Sequence, residues 1–246
     1  MTAMMIRPLM QCLATLMLSV TLPVAAAEPP TATMAADIDQ TLTRCLDASD
    51  KQSTGGQDEC IVDATHAWDA RLNASYRTLQ DELPASSRPA LLAAQRAWLA
   101  SRDADLALIG AVYATTRGTM YAPMNANDVM MLTKRRAQTL TRYAADLGYA
   151  ASGEVPPLAA KAVKSSEIDS AARRVKRRLP TSSRNIVRTS NERWRAFVSA
   201  EQGLIAAVCP SGKSAAGKAC RKAQANSEPA ARLALLKGLD GLIGAQ

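Results

Sequence analysis

The chain has 246 residues, a net charge of +8 and a single histidine, His66. With no Ser or Cys nucleophile motif near that histidine, and no zinc-type Cys/His spacing, the sequence argues against a catalytic triad, a structural metal site and any bound cofactor. The charge is uneven: residues 28–150 carry 12 Lys+Arg against 15 Asp+Glu, whereas residues 151–246 carry 17 against 7, so the two halves present different surfaces.

Residues 1–27 read as an export signal. Arg7 supplies the positive start, an apolar run follows from Leu9 to Val24, and Ala25-Ala26-Ala27 offers the small residues that a signal peptidase needs. The run is too short and too interrupted to be a comfortable bilayer span. The chain is therefore expected in the periplasm or secreted, with no transmembrane helix once the signal is cleaved. Four cysteines remain, Cys45, Cys60, Cys209 and Cys220, and an even count in an exported chain implies disulfides. Three connectivities are open. Local pairing, Cys45 with Cys60 and Cys209 with Cys220, is the economical one, and closing a loop of about 15 residues contributes roughly 3 kcal/mol in the chain-entropy model.

Strand signals are absent and helical periodicity dominates. A short helix is expected over Asp37 to Leu46, then a long one over Glu59 to Leu83. In the long helix Ile61, Thr65, Trp68, Leu72, Tyr76, Leu79 and Leu83 form one stripe. Pro84 ends it. Ser87 and Pro89 open a third helix whose apolar stripe reads Leu92, Leu99, Leu106, Ile109 and Tyr113. A fourth is bounded by Asn127 and Gly148. Residues 151–157 read as a linker. Beyond it come a basic helix, one around Trp194, and a last one from about Glu228 to Ile243.

A constant offset of 96 relates Trp98 to Trp194, Ile109 to Ile205, Ala111-Val112 to Ala207-Val208, Arg136 to Arg232 and Leu140 to Leu236. It suggests a degenerate tandem repeat. The expected fold is all-α: two small antiparallel helical bundles stapled by local disulfides. The expected layout is a signal peptide (1–27), a first helical domain (28–150) and a basic helical domain (151–246).

Arg102 falls on the stripe of the third helix, so its guanidinium needs a partner. Asp69 on the preceding helix is a candidate, with Asn73 adding a hydrogen bond. That is a structural clamp; the functional alternative is that Arg102 and Asp103 reach a partner protein. The run Arg173, Arg174, Lys176, Arg177 and Arg178 reads as a solvated helix face or as a contact for anionic lipid headgroups or wall polymers. Nucleic acid fits the charge but not an exported chain without a recognition motif.

Three phrases in order, DARLNASY, AQRAWLASRDAD and LTKRRAQTL, preceded by Cys45 and Cys60, resemble the N-terminal domain of the LprI-like lysozyme-inhibitor family. The match runs from about Cys45 to Leu147. Asp69, Leu72, Asn73 and Tyr76 meet one family phrase, and Leu132, Thr133 and Arg136 another. Where members usually carry a further cysteine, this chain has Asp105. The resemblance implies an envelope protein that binds a lysozyme or muramidase without being an enzyme. A non-inhibitory envelope module, or an immunity protein against a wall-degrading toxin, are the alternatives.

Overall fold

The computed structural model describes residues 30–152, 162–209 and 212–245, with side chains from residue 37 to 147 in the first stretch. The expected signal peptide and the core of the expected linker lie outside the described residues. Among the described residues seven α-helices form the fold: α1 (Pro30–Asp47), α2 (Thr54–Glu82), α3 (Arg88–Tyr113), α4 (Tyr121–Ser152), α5 (Ser165–Arg178), α6 (Arg184–Val208) and α7 (Ala215–Leu242). Among the described residues there is no strand, and no helix is long and apolar enough to cross a membrane. Both local disulfides are formed, Cys45–Cys60 and Cys209–Cys220.

Local chemistry sets the boundaries. Ser53 caps α2 by accepting from the Gly56 amide at 3.0 Å, and Ser214 caps α7 through Gly217 at 3.1 Å. Gly56 is fixed by packing: a Cβ there would lie 2.7 Å from the Lys51 backbone. Pro84 and Pro180 follow the residues that end α2 and α5. α4 begins at Tyr121, six residues before the expected cap Asn127, and α7 begins well before Glu228, continuing through Pro229.

The stripe expected on α2 is largely the buried one: Ile61, Trp68, Leu72, Leu79 and Leu83 are all in the core. That on α3 is out of phase. The buried face of α3 runs Leu91, Ala94, Trp98, Ser101, Asp105, Leu108, Ile109 and Val112, while Leu92 and Leu99 are exposed. The buried face includes a serine and a carboxylate, so counting apolar residues alone rotates the helix by about one position.

The helices do not sort into two separate bundles by sequence half. α2 packs on α4, α5 on α7, and α3 lies along α6. Ala90 meets Gly203 at one end of the α3–α6 contact and Asp105 meets Ser190 near the other, so the two helices are antiparallel. One apolar core joins Trp68, Leu72, Leu79, Met130 and Leu140 of the first half to Phe197, Leu204, Ile205 and Val208 of α6. The other joins Ile168, Val175, Leu236 and Leu239 of the second half to Leu108, Ile109 and Val112 of α3. The C-terminal part of each central helix thus completes the core of the other half. Burying each such aliphatic side chain is worth about 1.5–3 kcal/mol.

Candidate functional site: a crossed ionic centre and two charged faces

At the middle of the α3–α6 contact lie two buried ion pairs, each joining the halves. Arg136 on α4, with a fully buried side chain, donates from Nη1 to Glu201 Oε1 on α6 at 2.8 Å and from Nε to Gln95 Oε1 at 3.1 Å. Tyr143 donates its hydroxyl to the same Glu201 oxygen at 2.7 Å. The Arg136 guanidinium also lies over the rings of Trp98 and Phe197. On the other side, Arg232 of α7 donates to Asp105 Oδ1 at 2.6 Å, and to Ser190 Oγ and Asn191 Oδ1 at 2.7 Å each. It stacks over Trp194. Ser190 Oγ in turn donates a hydrogen bond to Asp105 Oδ1 at 2.6 Å.

A narrow cleft of about 40 Å³ reaches this centre, lined by Trp98, Arg102, Arg136, Trp194, Glu228 and Arg232 among others. Burial first, and the charge of Glu201 second, raise the Glu228 carboxyl from its ordinary 4.5 to about 7. Burial likewise pushes the Tyr143 hydroxyl well above its ordinary range, with Glu201 reinforcing the shift. The centre is held by paired charges on rigid helices and has little room for a ligand.

Arg102 is not part of it. Its guanidinium turns outward to its neighbour Asp103, at 2.8 Å, and stacks on Trp98 at 5.3 Å. Asp69 accepts instead from Asn73 of its own helix at 3.0 Å. The expected clamp between Arg102 and Asp69 does not form, because α2 and α3 barely touch: each packs mainly on a different helix. In the first half the buried arginine that needs a partner is Arg136. Its signal was in the sequence, as a charge within the otherwise apolar succession Leu132, Ala137, Leu140 and Tyr143.

The basic run of α5 divides between two faces. Arg174 and Arg178 both reach Asp240 on α7, and Arg178 also donates to the Ile243 carbonyl at 2.8 Å. Arg173 and Lys176 line an open cleft of about 380 Å³ between α5 and α6, together with Arg188 and Arg195. Arg188 is paired with Glu192 at 2.9 Å and Arg195 with Asp169 at 2.5 Å, which leaves Arg173 and Lys176 as the cleft's exposed cationic pair. Arg177 is exposed outside it.

The first half carries the opposite sign on its outer surface. Between α1 and α2, beside the Cys45–Cys60 disulfide, a cleft of about 230 Å³ is lined by Asp37, Ile38, Leu42 and Asp63. Val62, 46% exposed, stands next to it on α2 among Glu59, Asp63, His66 and Asp69, all exposed. Among the described residues no group of three or more His, Cys, Asp or Glu is placed to hold a metal ion.

No curated protein matches the chain. A crystal structure of an uncharacterized protein from Burkholderia thailandensis is similar, with a TM-score of 0.67 and 26% identity. The alignment covers 84% of this chain and 97% of that one, so the likeness extends through both halves. Residues 45–140, under half of the chain, are similar to the family described as "Lysozyme inhibitor LprI", whose model they match.

Proposed function

We propose that this protein blocks a lysozyme or related muramidase by protein–protein contact, docking through the outer face of α1 and α2. The observation that carries the reading is the match of residues 45–140 to the lysozyme-inhibitor model. The composition of this surface supports it: α2 exposes Val62 together with Asp63, Asp69 and Glu59, the last paired with Lys51 at 2.6 Å, on the matched segment. An exposed apolar side chain with carboxylates on the same helix suits docking to a cationic enzyme, with the charges steering association. The two disulfides suit an oxidising compartment such as the periplasm or the extracellular space. An immunity protein against a wall-degrading toxin would work by the same contact.

The test is a cell-wall lysis assay in which oxidised protein, residues 28–246, is titrated against a panel of lysozymes and muramidases. Saturable inhibition near one-to-one, weakened by Asp63→Lys and by salt, is expected. Lack of inhibition of every panel member would sink the reading.

The α5–α6 cleft favours a second reading, retention on anionic lipid or wall polymer through Arg173 and Lys176. Removing residues 151–246 would not isolate this activity, because α6 completes the first half's core. The paired variant Arg173→Glu/Lys176→Glu is the cleaner probe. Co-sedimentation with anionic but not neutral vesicles, lost in that variant, is the expected result; unchanged sedimentation of the variant would exclude the cleft.

A further inference from the structure

The offset of 96 that relates a few residues in sequence also relates their contacts. Arg136 lies against Trp98, donates to the Gln95 side-chain oxygen, and pairs with Glu201. Adding 96 to the first three residues gives Arg232, Trp194 and Asn191, which stand together in the same way. The acid on Arg232 is Asp105, and 96 residues beyond Asp105 is Glu201. Each arginine therefore uses the tryptophan and amide of its own half and the acid of the other.

The turn before each central helix repeats as well. Arg88 Nε donates to the Leu83 carbonyl at 3.2 Å, and Arg184 Nε to the Leu179 carbonyl at 3.3 Å. The apolar triplet Leu108, Ile109, Val112, which enters the second half's core, is matched by Leu204, Ile205, Val208, which enters the first's. When residue i of one copy meets residue j of the other, and j meets i, the contact has the form of a two-fold interface.

We propose that residues 72–147 and 168–243 are two copies of one unit, and that the partner fitted by the α3 face of an LprI-type unit is a second copy of that unit, here supplied within the same chain. A single copy has no acid of its own on Arg136 and leaves Leu108, Ile109 and Val112 uncovered. The second copy provides both. The copies have diverged elsewhere: the Cys209–Cys220 staple stands where the first copy has Tyr113 and Met124, Glu228 where it has Leu132, and at the centre itself Ser190 stands where the first copy has Ala94 and Leu239 where it has Tyr143.

Two experiments on the whole chain test this. In the first, residues 168–243 are replaced by a copy of residues 72–147, so that Arg136 faces a second Asp105. A monomeric, helical protein that melts cooperatively is the expected result; an unfolded or aggregated chain would overturn the equivalence of the copies. In the second, a protease site is inserted between residues 152 and 162 of the oxidised protein, which is then cut and passed over gel filtration at micromolar concentration. The cut halves are expected to elute together at the position of the uncut chain. Two half-sized peaks would overturn the claim that each copy is the other's partner, whatever the outcome of the first experiment.

Discussion

Arg136 and Glu201 are almost wholly enclosed, and each retains an atom with no protein partner, Nη2 and Oε2 respectively. Removing one member of such a pair leaves the other charged in a poorly solvated place, at a cost of about 3–5 kcal/mol. Arg136→Met is therefore expected to lower stability by that order in chemical denaturation. Arg136→Met combined with Glu201→Leu should recover most of the loss, since no buried charge is then left unmatched. Glu228 acts through pH. Its folded pKa of about 7 lies above its ordinary 4.5, so the folded state holds the proton more tightly than the unfolded one. Stability then declines as pH rises from about 4.5 to about 7, and the penalty is complete above that window. Glu228→Gln should match the wild type near pH 4 and melt at a higher temperature than it at pH 8. A gap in melting temperature that is the same at both ends would refute the assignment.

At the scale of the helix, most of the fold could be read from the chain, and the exceptions share one cause. α2 is read correctly because its buried positions are nearly all apolar: Ile61, Trp68, Leu72, Leu79 and Leu83. α3 is misread because Ser101 and Asp105 occupy its buried face, and the partners of Asp105, Ser190 and Arg232, come from 85 and 127 residues away. A periodicity argument treats such residues as solvent-facing and has no access to distant partners. The same blindness sends Arg102 inward and overlooks Arg136. The disulfides were legible because each spans a short separation, 15 and 11 residues. Each bridge links helices that also pack on their neighbours, so replacing either pair by serine is expected to cost about 2–3 kcal/mol without loss of helicity; circular dichroism melts of the two variants would check both statements.

At the scale of the whole molecule, the interlocked core changes what the halves can do separately. Residues 28–150 alone would expose Leu108, Ile109 and Val112 and leave Asp105 without Arg232. That fragment is expected to self-associate or stay partly unfolded, in contrast with the soluble monomer that an independent domain would give; light scattering on the purified fragment distinguishes them. The offset of 96 suggests two related copies, but a repeat in sequence does not say whether the copies stand apart or embrace. That distinction lies in Asp105 and Glu201, whose partners no local pattern identifies.

The placement of the two disulfides has a consequence for how this protein can go wrong. Cys45–Cys60 lies within the first half and Cys209–Cys220 within the second, so neither bridge records which first half has met which second half. At high concentration during refolding, α6 from one molecule can fill the core of another, and both bridges still close correctly. Oxidation therefore cannot proofread this step. Correct pairing depends on dilution and on the short reach of the connecting chain, and an exchanged dimer would carry a full set of native bonds.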